Sequence, residues 1–338
     1  MQDIKDLFTL LDENPKARIL ITTHHKPDGD ALGSSLGLWK FLKNQGFDAT
    51  VVSPTDYGEH LQWMPNQEHV VNFEQAFTKS KELVEAADYV FCLDFNALHR
   101  INQLGNLIRD AKAKTIMVDH HQEPEGFDDF RHWTTKTTST AQLVHEIIVM
   151  WKGEEAIDAD IATCLYTGIM TDTGSFRFDS VTPHTHRTIA TLIEKGAQVS
   201  DIHQKVHDNF SFERLQFIGH CLAHKLEVIP ELKTAVMSVT REELVRYKIQ
   251  TGDTEGLVNY GLSIRGIEFS ALFIDRTKLV KISFRGSGHF PCNEFSRDHF
   301  KGGGHYNAAG GQSIEPLEEA VARFKRTLPE YKKYLAND

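Results

Sequence analysis

The sequence has few cysteines, and none of them lie close together. The four are widely spaced, so no Cys-x-x-Cys motif of a zinc knuckle or redox site is present: Cys92, Cys164, Cys221 and Cys292. Scattered thiols are typical of a reduced, cytoplasmic protein. Long apolar runs are lacking as well, since no stretch approaches the roughly 20 residues of a membrane span. The segment from Met1 to Asp6 is acidic where a signal peptide would be apolar. We therefore expect a soluble cytoplasmic protein with no membrane partner.

Positive charge is also in deficit. The 338 residues include 37 Lys and Arg against 47 Asp and Glu, which gives a formal net charge of −10. Because binding along nucleic acid needs a broad basic surface, this balance argues against long duplex nucleic acid as a partner, although local cations can still hold a small anion. The length suggests two domains, and the hydrophobic content of 40% is ordinary for a folded protein. The 18 histidines are the unusual figure, and they raise the question of a bound metal.

The pattern along the chain predicts an α/β fold in two parts. Through the first 200 residues, short and almost wholly apolar runs alternate with helical stretches, which is typical of a parallel sheet covered by helices on both faces. After a helical stretch rich in His and Phe the runs shorten, and Val280 to Arg285 alternates apolar and polar residues as a half-buried strand does. We therefore assign residues 1–200 to a first α/β domain, 201–226 to a helical linker and 227–338 to a smaller α/β domain.

Acidic and histidine side chains follow several of the predicted strands. The set comprises Asp28, Asp30, Asp94, His120 and, at the end of a helical stretch, Asp172. Any one of these residues alone would be more typical of a cap or turn, but the carboxyl ends of parallel strands meet at one edge of a sheet, where all five can come together. Mixed carboxylate and imidazole ligands suit Mn²⁺, Zn²⁺ or Fe²⁺ better than Ca²⁺. Their number suits two ions about 3.5–4 Å apart, a pair that can deliver a nucleophile to phosphorus.

These residues, in this order, resemble the motifs of the DHH phosphoesterase superfamily. The match comprises His24-x-x-Pro27-Asp28-x-Asp30-Ala31-x-Gly33-Ser34, then Asp94, then Asp119-His120-His121, then Asp172-x-Gly174. In size and layout the chain is similar to the short oligoribonuclease and 3′-phosphoadenosine 5′-phosphate (pAp) phosphatases of the NrnA type. The resemblance implies one ion held by His24, Asp28 and Asp94, and a second held by Asp30, Asp94, His120 and Asp172. It makes the bridging Asp94 a catalytic residue, together with His121, which follows His120 in the sequence. His121 would face the scissile phosphate or be hydrogen-bonded within the site. Asp119 is then a supporting residue and not a ligand.

The C-terminal part resembles the DHHA1 substrate-binding domain. Its motifs are Ser283-Phe284-Arg285 and Gly302-Gly303-Gly304-His305-x-Asn307-Ala308-Ala309-Gly310. Three successive glycines in a loop let backbone N–H groups approach an anion, while Arg285 can hold a phosphate with two hydrogen bonds and His305 with one. The candidate substrate-binding residues are therefore Arg285, Gly302, Gly303, Gly304 and His305. Nearby phenylalanines either stack on a base or pack in the core, and the sequence leaves both roles open for Phe290, Phe295 and Phe300.

The residues and the resemblance together imply a two-metal hydrolase that cleaves short oligoribonucleotides to mononucleotides and pAp to AMP. Mn²⁺ is the expected ion, with Mg²⁺ disfavoured by the imidazole ligands. A cyclic- or linear-dinucleotide phosphodiesterase is the alternative, because it would share every motif. A RecJ-like exonuclease is disfavoured by the length and acidity of the chain, an exopolyphosphatase by the glycine-rich element, and an inactive nucleotide-binding module by the complete set of ligands. A homodimer is compatible with the sequence.

Overall fold

The chain divides into two compact units. The computed structural model describes residues 2–335, and the first unit extends to Asn209 while the second begins at Phe210. The division lies inside the segment 201–226 that the sequence assigns to a helical linker. Among residues 2–335, no helix combines the length and the apolar character that a membrane span needs.

The first unit is built around a parallel sheet. Its strands are β1 (Gln2–Asp3), β2 (Arg18–Thr23), β3 (Asp48–Ser53), β4 (Val71–Asn72), β5 (Tyr89–Leu93), β6 (Lys114–Asp119) and β7 (Phe130–Trp133). Its helices are α1 (Ile4–Glu13), α2 (Gly29–Asn44), α3 (Phe77–Ala86), α4 (Asn102–Asp110), α5 (Thr140–Lys152), α6 (Ala159–Asp172), α7 (Pro183–Glu194) and α8 (Val199–His207). Short 3₁₀ turns lie at Glu59–Leu61, Gln67–His69, Leu98–Ile101 and Glu154–Ala156. Within residues 2–209 every strand pairing is parallel, in the order β1-β7-β6-β5-β2-β3-β4.

Both faces of this sheet are buried, which explains why the interior residues of its central strands β2, β5 and β6 are mostly apolar. In β2, Ile19 and Ile21 belong to a core cluster that includes residues of α1, α2, α5 and α6. The intervening Leu20 belongs to a second cluster, with Val84 of α3 and Leu104 of α4. Successive side chains of a strand point to opposite faces, so helices cover each face in turn. The predicted parallel sheet between layers of helices is confirmed.

The second unit contains a mixed sheet. Its strands are β8 (Leu226–Ile229), β9 (Thr234–Val239), β10 (Phe269–Asp275), β11 (Val280–Gly286), β12 (Gly303–His305) and β13 (Ala308–Ser313). Its helices are α9 (Phe212–His220), continued by a π-helical turn at Cys221–Lys225, α10 (Arg241–Arg246), α11 (Asn259–Leu262), α12 (Cys292–Phe300) and α13 (Leu317–Thr327). Two 3₁₀ segments lie at Pro230–Leu232 and Leu328–Tyr334. The order is β12-β13-β11-β10-β9-β8, with β9 and β10 parallel and the other pairs of this unit antiparallel.

Two expectations for the second unit are settled by its packing. The glycine-rich segment is not simply a loop, because residues Gly303 to His305 pair with β13 and form a strand at the edge of the sheet. The three phenylalanines Phe290, Phe295 and Phe300 are fully buried in one core cluster, where Phe290 stacks on a core ring and Phe295 and Phe300 contact core rings edge-on. Their surroundings are those of core residues, and none of the three presents a face to a nucleobase.

Candidate active site

The candidate site lies at the carboxyl edge of the first sheet. Strands β2, β5 and β6 are neighbours in that sheet, and the polar residues follow directly where each strand ends. His24 follows β2, Asp94 follows β5, and His120 follows β6, while Asp172 is the last residue of α6. The parallel order therefore gathers side chains that are up to 148 residues apart in the sequence (172 − 24).

One group of donors forms around His24. The His24 Nε2 atom lies 3.4 Å from Asp94 Oδ2 and 3.7 Å from Asp28 Oδ1. The Asp28 carboxylate is fixed because it caps α2, accepting hydrogen bonds from the backbone N–H groups of Asp30 and Ala31. The ligand atoms of His24, Asp28 and Asp94 all lie within 4.8 Å of one another.

A second group forms around His120. The His120 Nε2 atom lies 3.4 Å from Asp172 Oδ2, 3.5 Å from Asp94 Oδ1 and 3.9 Å from Asp30 Oδ2. Asp94 therefore faces the two groups with different oxygens, Oδ2 toward His24 and Oδ1 toward His120. Asp94 is only 2% exposed. A buried carboxylate shared in this way is what the bridging ligand of a two-metal site requires.

The donor set fits divalent ions. Nitrogen–oxygen separations of 3.4–3.9 Å are mostly too long for good hydrogen bonds. They are near the spacing of about 3.0–3.5 Å that two ligands adopt around one ion at bond lengths of about 2.1 Å. Imidazole nitrogen together with carboxylate oxygen suits first-row transition metals, whereas Ca²⁺ prefers oxygen alone.

The backbone at Asp94 adopts a left-handed conformation. Its φ is +64°, which is uncommon for a residue with a side chain, and its N–H donates to the Val118 carbonyl at 3.0 Å. Asp tolerates this region better than most residues, because its short polar side chain can bond locally. Backbone strain of this kind is concentrated at functional sites. It turns the chain sharply at the end of β5, so that the carboxylate faces both donor groups.

Charge in the metal-free site is shared between histidines and carboxylates. Burial alone would lower the pKa of the His24 imidazole, but Asp28 and Asp94 outweigh it and raise that pKa to about 10. Burial likewise opposes protonation of His120, and its neighbours Asp94 and Asp172 raise its pKa to about 10. The two imidazoles are therefore protonated at neutral pH in the metal-free site. Their positive charges offset the carboxylates, as bound divalent ions would.

The pKa values of the Asp30 and Asp94 carboxylates shift in opposite directions. Burial raises the pKa of Asp30, and the negative charges of Asp94 and Asp172 add to that rise. Burial also opposes ionisation of Asp94, but contacts with His120 and His24 hold its pKa well below the usual range. Asp94 is consequently the most firmly ionised member of the site.

His121 lies beside Asp94, with its Nδ1 atom 3.7 Å from Asp94 Oδ1, but its hydrogen-bond partner is Asp119. Its Nδ1–H donates to Asp119 Oδ1 at 2.7 Å, and Asp119 is fully buried. Burial lowers the pKa of His121, and the Asp119 carboxylate only partly offsets this effect, so the imidazole is neutral at pH 7. Because the bond occupies Nδ1, it fixes the tautomer and the orientation of the ring.

Sequence reasoning missed the role of α5, whose first turn supports two of the carboxylates. The backbone N–H groups of Thr140 and Ala141 donate to the two oxygens of Asp30 at 2.7 and 2.8 Å. The Thr140 hydroxyl donates to Asp94 Oδ1 at 3.0 Å. Ser139 caps this helix, because its hydroxyl oxygen accepts a hydrogen bond from Gln142 N. A cap predicts where a helix begins but not which distant carboxylate its first N–H groups will face.

Glycines bring α2 and α6 close enough to place Asp30. A Cβ atom on Gly33 would lie 2.5 Å from the Cys164 carbonyl oxygen and 3.0 Å from Gly168 N. A Cβ atom on Gly168 would lie 2.9 Å from Asp30 Oδ1. These contacts leave no room for a side chain, so the glycines are needed for the close approach of the two helices.

Comparison with known proteins identifies the family. The N-terminal domain of the DHH family matches residues 18–169, and the DHHA1 domain matches residues 233–333. The chain belongs to the DHH family. It is a phosphoesterase hydrolase with a DHH domain followed by a DHHA1 domain, as the order of motifs in the sequence predicts.

Several proteins resemble the chain over most of its length. The bifunctional oligoribonuclease and PAP phosphatase NrnA of Thermus thermophilus is 29% identical over 312 residues, which cover 90% of this chain and 89% of that protein. The protein of the same name from Bacillus subtilis is 23% identical over 305 residues, covering 89% of this chain and 91% of the other. The crystal structure of an exopolyphosphatase-related protein from Bacteroides fragilis has a TM-score of 0.92 and 37% identity, over 98% of this chain and 96% of the other.

Two of the predicted substrate-binding residues of the DHHA1 domain share one face of its sheet. Arg285 of β11 and His305 of β12 both lie opposite Ala308 of β13, one on each side. Residues directly opposite one another in an antiparallel pair point to the same face, so Arg285 and His305 flank the small Ala308 on that face. Phe284 and Ala309 point the other way, into the core.

The three successive glycines Gly302, Gly303 and Gly304 differ in what they contact. A Cβ atom on Gly302 would lie 1.9 Å from the Gly310 carbonyl oxygen, so this glycine is required by close packing against β13. Gly304 has a φ of +136°, a conformation that favours glycine. Only Gly303 of the three has no atom near the position of its missing Cβ, so it is the glycine whose backbone a ligand can approach.

Proposed function

We propose that this DHH phosphoesterase hydrolyses short oligoribonucleotides to mononucleotides and converts pAp to AMP, using two divalent ions. The observation that carries the proposal is the position of Asp94 between two separate donor groups, one oxygen toward each. The choice of substrate is supported by relatives named as bifunctional oligoribonuclease and PAP phosphatase, which align over about nine-tenths of both chains.

The residues present would hold both ions. His24, Asp28 and Asp94 would bind one ion, and Asp30, Asp94, His120 and Asp172 would bind the other. Mn²⁺ is the ion we propose, because Mg²⁺ prefers oxygen ligands and retains its waters, whereas two imidazoles face this site. When bound, such ions supply positive charge that activates a water molecule and neutralises the oxygens of the reacting phosphate.

His121 would contact the reacting phosphate, with Asp119 supporting its ring. The Asp119 carboxylate holds the ring of His121 through Nδ1, and the lowered pKa keeps that ring neutral at pH 7. We propose that His121 contacts the scissile phosphate and that Asp119 keeps it in place without acting as a ligand.

The DHHA1 domain would bind a second phosphate of the substrate. Arg285 and His305 lie on the same face, on either side of Ala308, which leaves room between two long donors. The backbone of Gly303 lies on β12, the strand that also carries His305, and is open to an anion. A guanidinium, an imidazole and backbone N–H groups are together a suitable set for phosphate.

A substrate panel tests the proposal. We expect the full chain with Mn²⁺ to cleave pAp, the dinucleotide pApA and a five-nucleotide RNA, and to lose activity with EDTA. The same panel includes pGpG, a cyclic dinucleotide, pyrophosphate and polyphosphate. A kcat/KM for the cyclic dinucleotide or for polyphosphate that exceeds those for pApA and pAp by tenfold would refute the assignment of substrate. Turnover undiminished by EDTA would refute the use of metal.

A further inference from the structure

The first turn of α5 touches both donor groups through a single residue. Thr140 donates its backbone N–H to Asp30 Oδ2 at 2.7 Å and its hydroxyl to Asp94 Oδ1 at 3.0 Å. The residue is fully buried. It is not among the residues expected to bind metal or substrate, yet it contacts one carboxylate that would serve only the second ion and another that both ions would share.

We propose that Thr140 is a positioning residue of the metal centre, which fixes the rotation of the Asp94 carboxylate so that each oxygen faces its own donor group. This inference rests on the proposed two-metal function. The last torsion of an aspartate side chain is broad and poorly fixed by its own rotamer preferences. Asp94 Oδ1 lies between the Thr140 hydroxyl at 3.0 Å and His120 Nε2 at 3.5 Å, and Oδ2 then faces His24.

The backbone contact to Asp30 has a separate effect. The N–H groups of Thr140 and Ala141 each donate to one Asp30 oxygen, at a helix start where the peptide dipoles favour negative charge. Each carboxylate oxygen keeps a second lone pair, so these bonds orient Asp30 without using up its capacity as a ligand. A side-chain substitution at Thr140 leaves these backbone donors in place and removes only the hydroxyl contact with Asp94.

That separation makes the proposal testable with an isosteric change. Thr140→Val keeps the shape of the side chain and deletes the hydroxyl, whereas Thr140→Ser keeps the hydroxyl. Thr138→Val is the matched control, because Thr138 is also buried just before α5 but its hydroxyl donates to Gln142 Oε1 at 2.8 Å. Loss of a group that orients a metal ligand typically weakens metal binding about 10–100-fold.

The measurement is calorimetric titration of the metal-free full chain with Mn²⁺, in the absence of substrate. We expect wild type to bind two ions, Thr140→Val to bind at least about tenfold more weakly, and both Thr140→Ser and Thr138→Val to bind like wild type. Far-UV circular dichroism in EDTA checks that each variant is folded. If Thr140→Val does not fold, Thr140→Ala is titrated with the same expectation.

Each alternative outcome contradicts a distinct statement. Wild-type affinity in Thr140→Val, with two ions bound, overturns the role of the hydroxyl and leaves the two-metal function standing. Equal weakening in Thr138→Val, or no rescue by Thr140→Ser, assigns the effect to the start of the helix in general and also overturns the role. Fewer than two ions bound by wild type overturns the two-metal function itself, and with it this inference.

Discussion

Metal binding should expel protons from the site. In the metal-free chain the carboxylates around His24 and His120 raise the pKa of both imidazoles to about 10, so both are charged at pH 7.5. A metal ion needs the neutral imidazole as its ligand, so binding must release these protons. We expect about two protons to be released per chain when both ions bind, one from each imidazole.

The assay is calorimetric titration with Mn²⁺ at pH 7.5 in buffers that differ in ionisation enthalpy. The slope of the observed enthalpy against the buffer enthalpy gives the number of protons released. Two protons also imply that the overall affinity for the pair of ions rises about 100-fold per pH unit in this range. A release of fewer than one proton per chain would refute the charge arrangement that we describe.

The same histidines determine how stability depends on pH. The pKa of each imidazole is about 10 in the folded, metal-free chain, above the usual value of about 6.5. Folding therefore takes up protons in the pH range between these two values. Their contribution to stability is complete below about pH 6.5 and is lost as the pH rises toward 10. With excess Mn²⁺ the trend reverses, because fewer protons then compete for the ligands. Urea unfolding at pH 6.5 and 8.5, with EDTA or with Mn²⁺, compares the two trends.

Four substitutions test the shared carboxylate, the phosphate anchor and the packing of the glycine-rich strand. Asp94→Ala removes the carboxylate common to both donor groups, so kcat should fall by about 10³-fold or more while the far-UV circular dichroism spectrum is retained; near-normal turnover would contradict the shared role. Arg285→Ala should raise KM about tenfold with little change in kcat, and an effect on kcat alone would exclude phosphate anchoring. Gly302→Ala should destabilise the fold by about 1–3 kcal/mol, because its Cβ would meet the Gly310 carbonyl oxygen, whereas Gly303→Ala should leave the Tm unchanged. Equal Tm shifts for the two glycine variants would contradict the packing.

Much of the secondary structure of the first unit could be predicted, because short stretches of sequence carry the apolar patterns of its strands. The strand at Tyr89–Leu93, for example, is a continuous apolar run, a pattern that predicts a buried parallel strand. The short strands β1 and β4 were not foreseen, because two residues carry no periodicity. The order of the parallel strands then brings His24, Asp94 and His120 to one edge, as the sequence reasoning expected, although their role as ligands stays a prediction.

The remaining features depend on contacts between distant segments. Thr140 is an ordinary residue at a helix start, and only the packed structure shows that it donates to Asp30 and Asp94. Gly302 was interpreted as an open backbone for an anion, yet its immediate neighbour is the carbonyl of Gly310 in a paired strand. No local pattern distinguishes a glycine required by packing from one required by a ligand.

The central claim is that Asp94 is shared by two metal ions, and diffraction at the Mn²⁺ absorption edge tests it most directly. Crystals of the full chain grown with Mn²⁺ should show two anomalous peaks, one between His24, Asp28 and Asp94, and the other between Asp94, His120 and Asp172. A single peak, or two peaks of which one is not coordinated by Asp94, would contradict the claim.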